Sequence, residues 1–433
     1  MMVKLDPWGT STIEDYSHLF EEFGIQPFKA LVENIPNPHR LMRRGIIFGH
    51  RNYEAVLDAL LSGSPFAVMS GFMPSGKAHF GSKMVMEEII WHQEMGGDAY
   101  VAIADIEAHV VRGLSWDRCA ELGRDYILSI IALGLKPEAT IYFQSTMERV
   151  KDLAIELSGE VNLSELVSIY GFGGDVSLAH MHTPIIQSAD ILNPQLDSPK
   201  PVVIPVGPDQ DPHIRLTREL ADRVNMFKVF EADNGKVKVY PKVSKHEVGD
   251  VLNHLKTELE KEFEVSEYEA HLEVVGSVER VRDVATRVEL EHGGFAFLPP
   301  SSTYHRFMEG LTGGKMSSSK PESYIALTED VDEAVSKLMR AKTGGRISRD
   351  EQMKFGGNPE ECSVYAMLLF HLVEDDEELT RIYMECRNGE RLCGQCKSEA
   401  SSLLRNFLIE HQHKREEAVE KLDEYNIVWG KRV

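Results

Sequence analysis

Two stretches of this chain hold residue types suited to polyphosphate chemistry. In the first, from Pro65 to Met95, an apolar run over 66–69 is broken by Gly71, Pro74 and Gly76, and a helical pattern with Val85, Ile89 and Ile90 follows. The pattern predicts strand, tight turn and helix. A glycine-bearing turn that feeds a helix start turns unpaired backbone N–H groups and the positive end of the helix dipole toward one point, which suits a phosphate. His79 and Gly81 stand at that point. The second stretch, Gly313-Gly314-Lys315-Met316-Ser317-Ser318-Ser319-Lys320-Pro321, is a Gly/Ser loop whose two lysines can bring ammonium groups onto phosphate oxygens. Strand–turn–helix units with glycine occur in most α/β proteins, so the pairing carries more than either stretch alone.

Such groups need a frame. From Phe66 onward, apolar runs alternate with amphipathic helices, the pattern of a parallel sheet with crossover helices. It predicts further strands over 99–105, 140–144 and 202–207, and helices over 117–133 and 212–224. The fold class expected is α/β, a Rossmann-like parallel sheet with a C-terminal helical domain. Ligands of such sheets bind beyond the C-terminal strand ends, where the loops over 70–76, 105–107 and 207–211 fall. The division expected is a helical N-terminal extension (1–62, helices over 17–23 and 53–61) and the sheet domain (63–227). Then come an inserted subdomain (228–294, a helix over 246–264 and a strand over 271–275), the lysine-loop region (295–330) and a helical domain (331–433). Its helices are expected over 330–339, 364–372, 377–385 and 398–425.

The chain has 433 residues, 69 acidic against 47 basic, for a net charge of −22. Its overall field repels a polyanion, so RNA would have to use a local basic face, for which Arg340, Lys342, Arg346, Arg349, His411, His413, Lys414 and Arg415 are candidates. No run approaches about 18 apolar residues and the N-terminus is not signal-like, which predicts a cytoplasmic protein without a membrane span. Cys119 reads as a small buried hydrophobe. Cys393 and Cys396 form a C-x-x-C that, with Cys362 and Cys386, could hold a structural zinc, although reduced thiols are the preferred reading. A dinucleotide oxidoreductase is excluded, because no G-x-G-x-x-G opens a helix after the first strand.

The two opening stretches resemble the paired signatures of class I aminoacyl-tRNA synthetases. That family has His-Ile-Gly-His and Lys-Met-Ser-Lys-Ser where this chain has His79-Phe80-Gly81-Ser82 and Lys315-Met316-Ser317-Ser318-Ser319. Asp6-Pro7-Trp8, Gly49-His50-Arg51-Asn52-Tyr53, the segment 205–218 with its Asp-Gln-Asp-Pro, and 351–412 with its Phe-Gly-Gly and Glu-Asp-Asp are similar to the archaeal and eukaryotic branch of tryptophanyl-tRNA synthetases. Against that branch, 228–294 reads as extra.

The resemblance implies tryptophan activation by ATP with Mg2+, transfer to tRNA(Trp), an anticodon-binding helical tail and a homodimer with its contact over 150–178. His79, Gly81, Lys315 and Ser317 would be catalytic: His79 on the phosphates, Gly81 admitting the adenine, Lys315 on the developing pyrophosphate charge. Ser70, Gly71, Pro74, Ser75, Ser82, Met316, Ser318 and Ser319 would complete the ATP site. Glu107, Gln187, Asp190, Gly207 and Gln210 would line the amino acid site. Ser82 replaces the second His, with Lys77 or Lys83 near enough to compensate, and Met69 and Ala102 stand where the branch offers Tyr and Gln to the indole. Asp190 is therefore the expected acceptor for the indole nitrogen, with Gln187, Gln210 and Glu107 on the ammonium or neighbouring polar groups. The same Gln-x-x-Asp spacing resembles tyrosyl-tRNA synthetases, and the replaced residues leave room for an inactive paralogue.

Overall fold

The computed structural model describes residues 19–20, 23–232, 235–242, 248–314, 316 and 320–431. Its centre is an eight-stranded sheet of β1 (Gln26–Pro27), β2 (Ile47–Arg51), β3 (Ala67–Phe72), β4 (Asp98–Ile103), β5 (Thr140–Phe143), β6 (Val202–Val206), β11 (Ser301–His305) and β12 (Asn426–Val428). The spatial order is β1-β2-β11-β6-β3-β4-β5-β12. Neighbours from β11 to β12 run parallel, and β1 and β2 close one edge antiparallel. All five residues of β6 are buried, as a strand covered on both faces requires. The intervening helices include Phe80–Glu94, Trp116–Leu133, Leu178–Leu192 and Asp211–Val224. Gly123 lets the Trp116–Leu133 helix approach the sheet, since a Cβ there would lie 2.4 Å from the Phe143 ring.

The Rossmann-like parallel sheet expected from the sequence is present, but three expected boundaries change. The leading segment is not a helical extension alone, because 26–27 and 47–51 supply sheet strands; the helix expected over 17–23 falls largely outside the described residues. The C-terminal tail is not all helical either. After the Cys393–Glu420 helix the chain returns as β12 beside β5. The stretch 228–294 holds more than the helix and strand expected. β7 (Phe227–Glu231), β8 (Val237–Pro241), β9 (Glu264–Glu267) and β10 (Leu272–Val275) form an antiparallel sheet in the order β7-β8-β10-β9. Helices Val248–Glu260 and Val278–Glu291 share a separate core with it, built on Leu255, Leu259, Val281 and Val288. Asn225 clamps its neck, donating to Phe297 O (2.9 Å) and accepting from Phe297 N (2.8 Å).

The Phe80–Glu94 helix is held in place by buried charge. Glu87 accepts from Arg40 (2.5 Å) and Lys83, and Arg40 also donates to Glu374 (2.7 Å), so the leading segment, this helix and the C-terminal helical region meet at one ionic cluster. Burial works to raise the Glu87 carboxyl, but Lys83, Arg40 and His39 overcome it and hold it at about 2. A carboxylate held below its ordinary 4.5 adds stability above pH 4.5 that is lost as pH falls toward 2. Glu87→Gln leaves buried Lys83 without its anion and Arg40 with Glu374 alone, and is expected to cost about 3–5 kcal/mol in urea unfolding at pH 7. Unfolding curves between pH 5 and pH 2 should lose less stability in the variant than in the parent.

Candidate active site

The sheet's C-terminal edge opens into a cavity of about 260 Å3. β3 and the turn after it give Met69, Ser70, Gly71, Phe72 and Met73; the helix starts give Ser82 and Glu107; β5 ends in Gln144. The Leu178–Leu192 helix lends Gln187 and Asp190, and the end of β6 lends Gly207 and Gln210. Strand alternation and the crossover connections bring these distant positions together, as the expected sheet requires. A larger crevice of about 490 Å3 lies elsewhere, between the inserted subdomain and the body. Pro201 and Ser301 in its wall precede β6 and begin β11, so it opens at the strands' N-terminal ends, the wrong edge for the ligand of such a sheet.

At the phosphate end, His79 is the N-cap of the Phe80–Glu94 helix. Its Nδ1 accepts from Gly81 N (3.0 Å), and its own N–H donates to Ser82 Oγ (3.0 Å). The helix start is therefore capped by side chains here and does not present wholly unpaired N–H groups. Burial pushes the His79 imidazole down to about 4, so it is neutral at pH 7. An accepting Nδ1 fixes the proton on Nε2, which leaves Nε2–H as the donor the ring can offer a phosphate. A Cβ at Gly81 would lie 2.7 Å from His79 Cε1, so the bare glycine makes room for this ring.

Lys83 does not compensate for Ser82. It is buried, paired with Glu87 and set 5.1 Å from the Phe407 ring centroid, facing away from the cavity. Lys77 is exposed. Pro74, Ser75, His79, Gly81 and Met316 stand outside the cavity lining, whereas Ser70, Gly71 and Ser82 lie within it. Ser70 Oγ donates to Pro205 O (3.0 Å), tying β3 to β6. Lys315, Ser317, Ser318, Ser319 and Asp6-Pro7-Trp8 lie outside the described residues.

The amino acid end is a buried polar knot. Asp190 is not a helix-start acid; it sits near the end of the Leu178–Leu192 helix and accepts from Tyr142 Oη (2.9 Å) and Gln144 Nε2 (2.5 Å). Burial pushes its carboxyl up to about 7 against the pull of these two donors. Gln187 Nε2 donates to Gln210 Oε1 (3.3 Å) beside Glu107 on the cavity wall. Asp105 instead accepts from Ser145 N (3.0 Å) and Oγ (2.5 Å), clasping the ends of β4 and β5. Met69 lines the cavity, while Ala102 is buried behind Gly71 and is not part of the lining. Sequence reasoning missed Tyr142 and Gln144 as site residues. Their one signal was a polar side chain at the C-terminal end of β5.

Two surface expectations change. His411 is buried and Arg415 donates to Asp125 (2.9 Å) and Ser129, whereas His413 and Lys414 stay exposed beside Glu417 and Glu410. Cys362, Cys386, Cys393 and Cys396 do line one cavity, of about 20 Å3. Burial, with Cys362 and Cys386 adding to it, pushes the Cys396 thiol up to about 12, which keeps it protonated. Among the described residues no group of three or more His, Cys, Asp or Glu is placed to hold a metal ion, so the zinc expectation finds no ligand geometry.

The model of the class I tRNA synthetases (W and Y) matches residues 61–243 and 263–409, and breaks over 244–262, a narrower stretch than 228–294. The tryptophan–tRNA ligase of Methanosarcina acetivorans is 54% identical over 437 residues, covering 99% of this chain and 100% of that protein. That of Archaeoglobus fulgidus is 54% identical, covering 98% of this chain and 100% of that protein. The crystal structure of tryptophanyl-tRNA synthetase from Aeropyrum pernix K1 superposes with a TM-score of 0.76 at 38% identity, over 99% of this chain and 100% of that one.

If His79 Nε2–H acts on phosphate, His79→Ala should lower tryptophan-dependent ATP–pyrophosphate exchange about 100-fold or more. Gly81→Ala, whose methyl displaces the same ring, should approach that loss; loss of the His79 cap should cost about 1 kcal/mol, too little to leave the variant unfolded in the assay.

Proposed function

The chain belongs to the class I tRNA synthetases for tryptophan and tyrosine, and from that premise we propose that it is a tryptophan–tRNA ligase working as follows. A carboxylate oxygen of tryptophan attacks the α-phosphorus of ATP, a new P–O bond forms as the bond to the β-phosphate oxygen breaks, and pyrophosphate leaves. The acyl group of the adenylate then passes to a ribose hydroxyl at the 3′ end of tRNA(Trp), releasing AMP. Such chemistry asks for positioning and charge stabilisation more than for a protein nucleophile.

The observation that carries this reading is the cavity itself. At about 260 Å3 it suits one small ligand, and it sets a wall of amide and carboxyl groups opposite apolar Met69, Phe72 and Val85. Glu107, Gln187 and Gln210, on the cavity wall, would hold the ammonium. Gly207 keeps a bare backbone there, since a Cβ would lie 2.5 Å from Asp209 Oδ1. Ser82 joins this cavity to the helix start where His79 offers Nε2–H. Lys315 and Ser317 follow the family's loop signature and would stabilise the departing pyrophosphate. Magnesium would come with ATP, held chiefly by the phosphate oxygens.

Exchange of labelled pyrophosphate into ATP should require tryptophan. Exchange with tyrosine in its place would move the substrate to the sister enzymes, and exchange with neither would end the ligase reading.

RNA would meet the C-terminal helical region near Arg346 and Arg349, where Phe355 is exposed as a stacking surface. No helix among the described residues is long and apolar enough to cross a membrane, and the reaction's need for tRNA favours the cytoplasm. A second copy of the chain is the expected partner. Ile155 (68% exposed), Leu163 (59%), Val167 (41%) and Leu178 (84%) leave an apolar face uncovered within and at the end of the segment 150–178. The last of these begins the helix that carries Gln187 and Asp190, so covering this face would steady the amino acid end of the site. Light scattering behind gel filtration should give twice the chain mass, and the double variant Leu163→Asp, Leu178→Asp should give the mass of one chain.

A further inference from the structure

The polar knot at the amino acid end contains one group that its neighbours do not use. Gln144 is 3% exposed, lines the cavity, and gives its Nε2 to Asp190, yet its Oε1 is buried and accepts no hydrogen bond among the described residues. With Asp190 ionised, turning the amide over would set Oε1 against a carboxylate oxygen 2.5 Å away, so Nε2 is the atom that faces Oδ2. Asp190 stands differently. Each of its oxygens already accepts, Oδ1 from Tyr142 and Oδ2 from Gln144. Gln187 and Gln210 are joined to each other, Met69 offers only a weak sulfur acceptor, and Ala102 offers none and lies outside the cavity lining.

A buried carbonyl without a donor is costly, and water or a ligand ordinarily supplies one. Indole carries a single N–H donor and no acceptor. We propose that Gln144 Oε1 accepts the indole N–H of tryptophan, and that Asp190 is a positioning residue that holds the Gln144 carbonyl toward the cavity. This deepens the tryptophan reading and rests on it. It also reassigns the indole contact from Asp190, where sequence reasoning alone placed it.

The test compares tryptophan with 3-benzothienylalanine, in which sulfur replaces the N–H, by pyrophosphate exchange in the parent and in Gln144→Leu and Gln144→Met. The parent should prefer tryptophan in kcat/KM by on the order of 10- to 100-fold, the worth of one buried hydrogen bond. In both variants kcat/KM for tryptophan should fall further than kcat/KM for the sulfur analogue, so that the preference is lost, a result that mere unfolding cannot imitate because it lowers both alike. A parent-like preference in either active variant overturns the assignment, and exchange by the parent with neither amino acid overturns the tryptophan reading along with it. Should both variants prove unstable, the parent crystallised with tryptophan decides. Indole nitrogen within about 3.2 Å of Gln144 Oε1 supports the proposal, and indole nitrogen on an Asp190 oxygen overturns it.

Discussion

Two adjacent acids on the Phe80–Glu94 helix, Glu88 buried and Glu87 largely so, each paired, fix the rotation of the element on which the active site depends. Successive residues on a helix point about 100° apart. Glu87 turns to Arg40 and Lys83, while Glu88 turns to the sheet, where Thr303 (2.5 Å) and His305 donate to it from β11. A carboxylate in the interior is expensive unless paired, so rolling the helix by even part of a turn would strand both. His79 and Ser82 stand on its first turn, and their aim is thereby set from behind the site. The same contacts explain why Lys83 cannot serve phosphate: moving it would break the cluster that points His79.

The sheet around this helix is completed by both ends of the described chain. β2 pairs antiparallel with β11, and β12 adds itself beyond β5, so segments that composition alone assigns to helical flanks in fact finish the catalytic sheet. Arg43 and Arg44 reach Asp376, both at 2.7 Å, and strengthen the same junction between the leading segment and the C-terminal helices. The inserted subdomain takes no part in this. With its own core and its neck at Asn225 and Phe297, it hangs from the N-terminal strand edge, away from the chemistry.

What the sequence revealed and what it hid follow from range. The strands between 66 and 206 and the helices at 80–94, 116–133 and 211–224 were legible because burial on one face or both stamps a local period on the residues, and the loops that open at the strands' C-terminal ends followed from the parallel topology. The four other helices between 105 and 192, which include the one carrying Gln187 and Asp190, were not foreseen. β2 and β12 were hidden because a three- to five-residue strand has no period long enough to separate it from loop, and each is selected by a partner far along the chain. Within 228–294 the helix was legible from its charge pattern, but short strands such as β9 were not. At the site, Glu107, Gln187, Asp190, Gly207 and Gln210 were found by resemblance, and the cavity gathers all five. The fate of Lys83, His411 and Arg415 could not be read in advance, since a basic residue looks the same in sequence whether it faces water or a buried carboxylate.

The amino acid pocket shows how one buried donor constrains a whole wall. An indole N–H can satisfy one acceptor well. A pocket that placed polar groups at 69 and 102 on β3 and β4, and also kept Gln144 with Asp190 on the opposite side, would leave one of them buried and unpaired, at a cost of about 1–3 kcal/mol. With Gln144 as the acceptor, apolar residues at 69 and 102 become the stable choice. Met69 lines the cavity, and Ala102 stands beside Gly71 on the next strand, outside the lining. On that assignment the apolar residues at 69 and 102 and the polar pair at 144 and 190 belong together: the acceptor stands at the end of β5, and β3 and β4 face it with carbon.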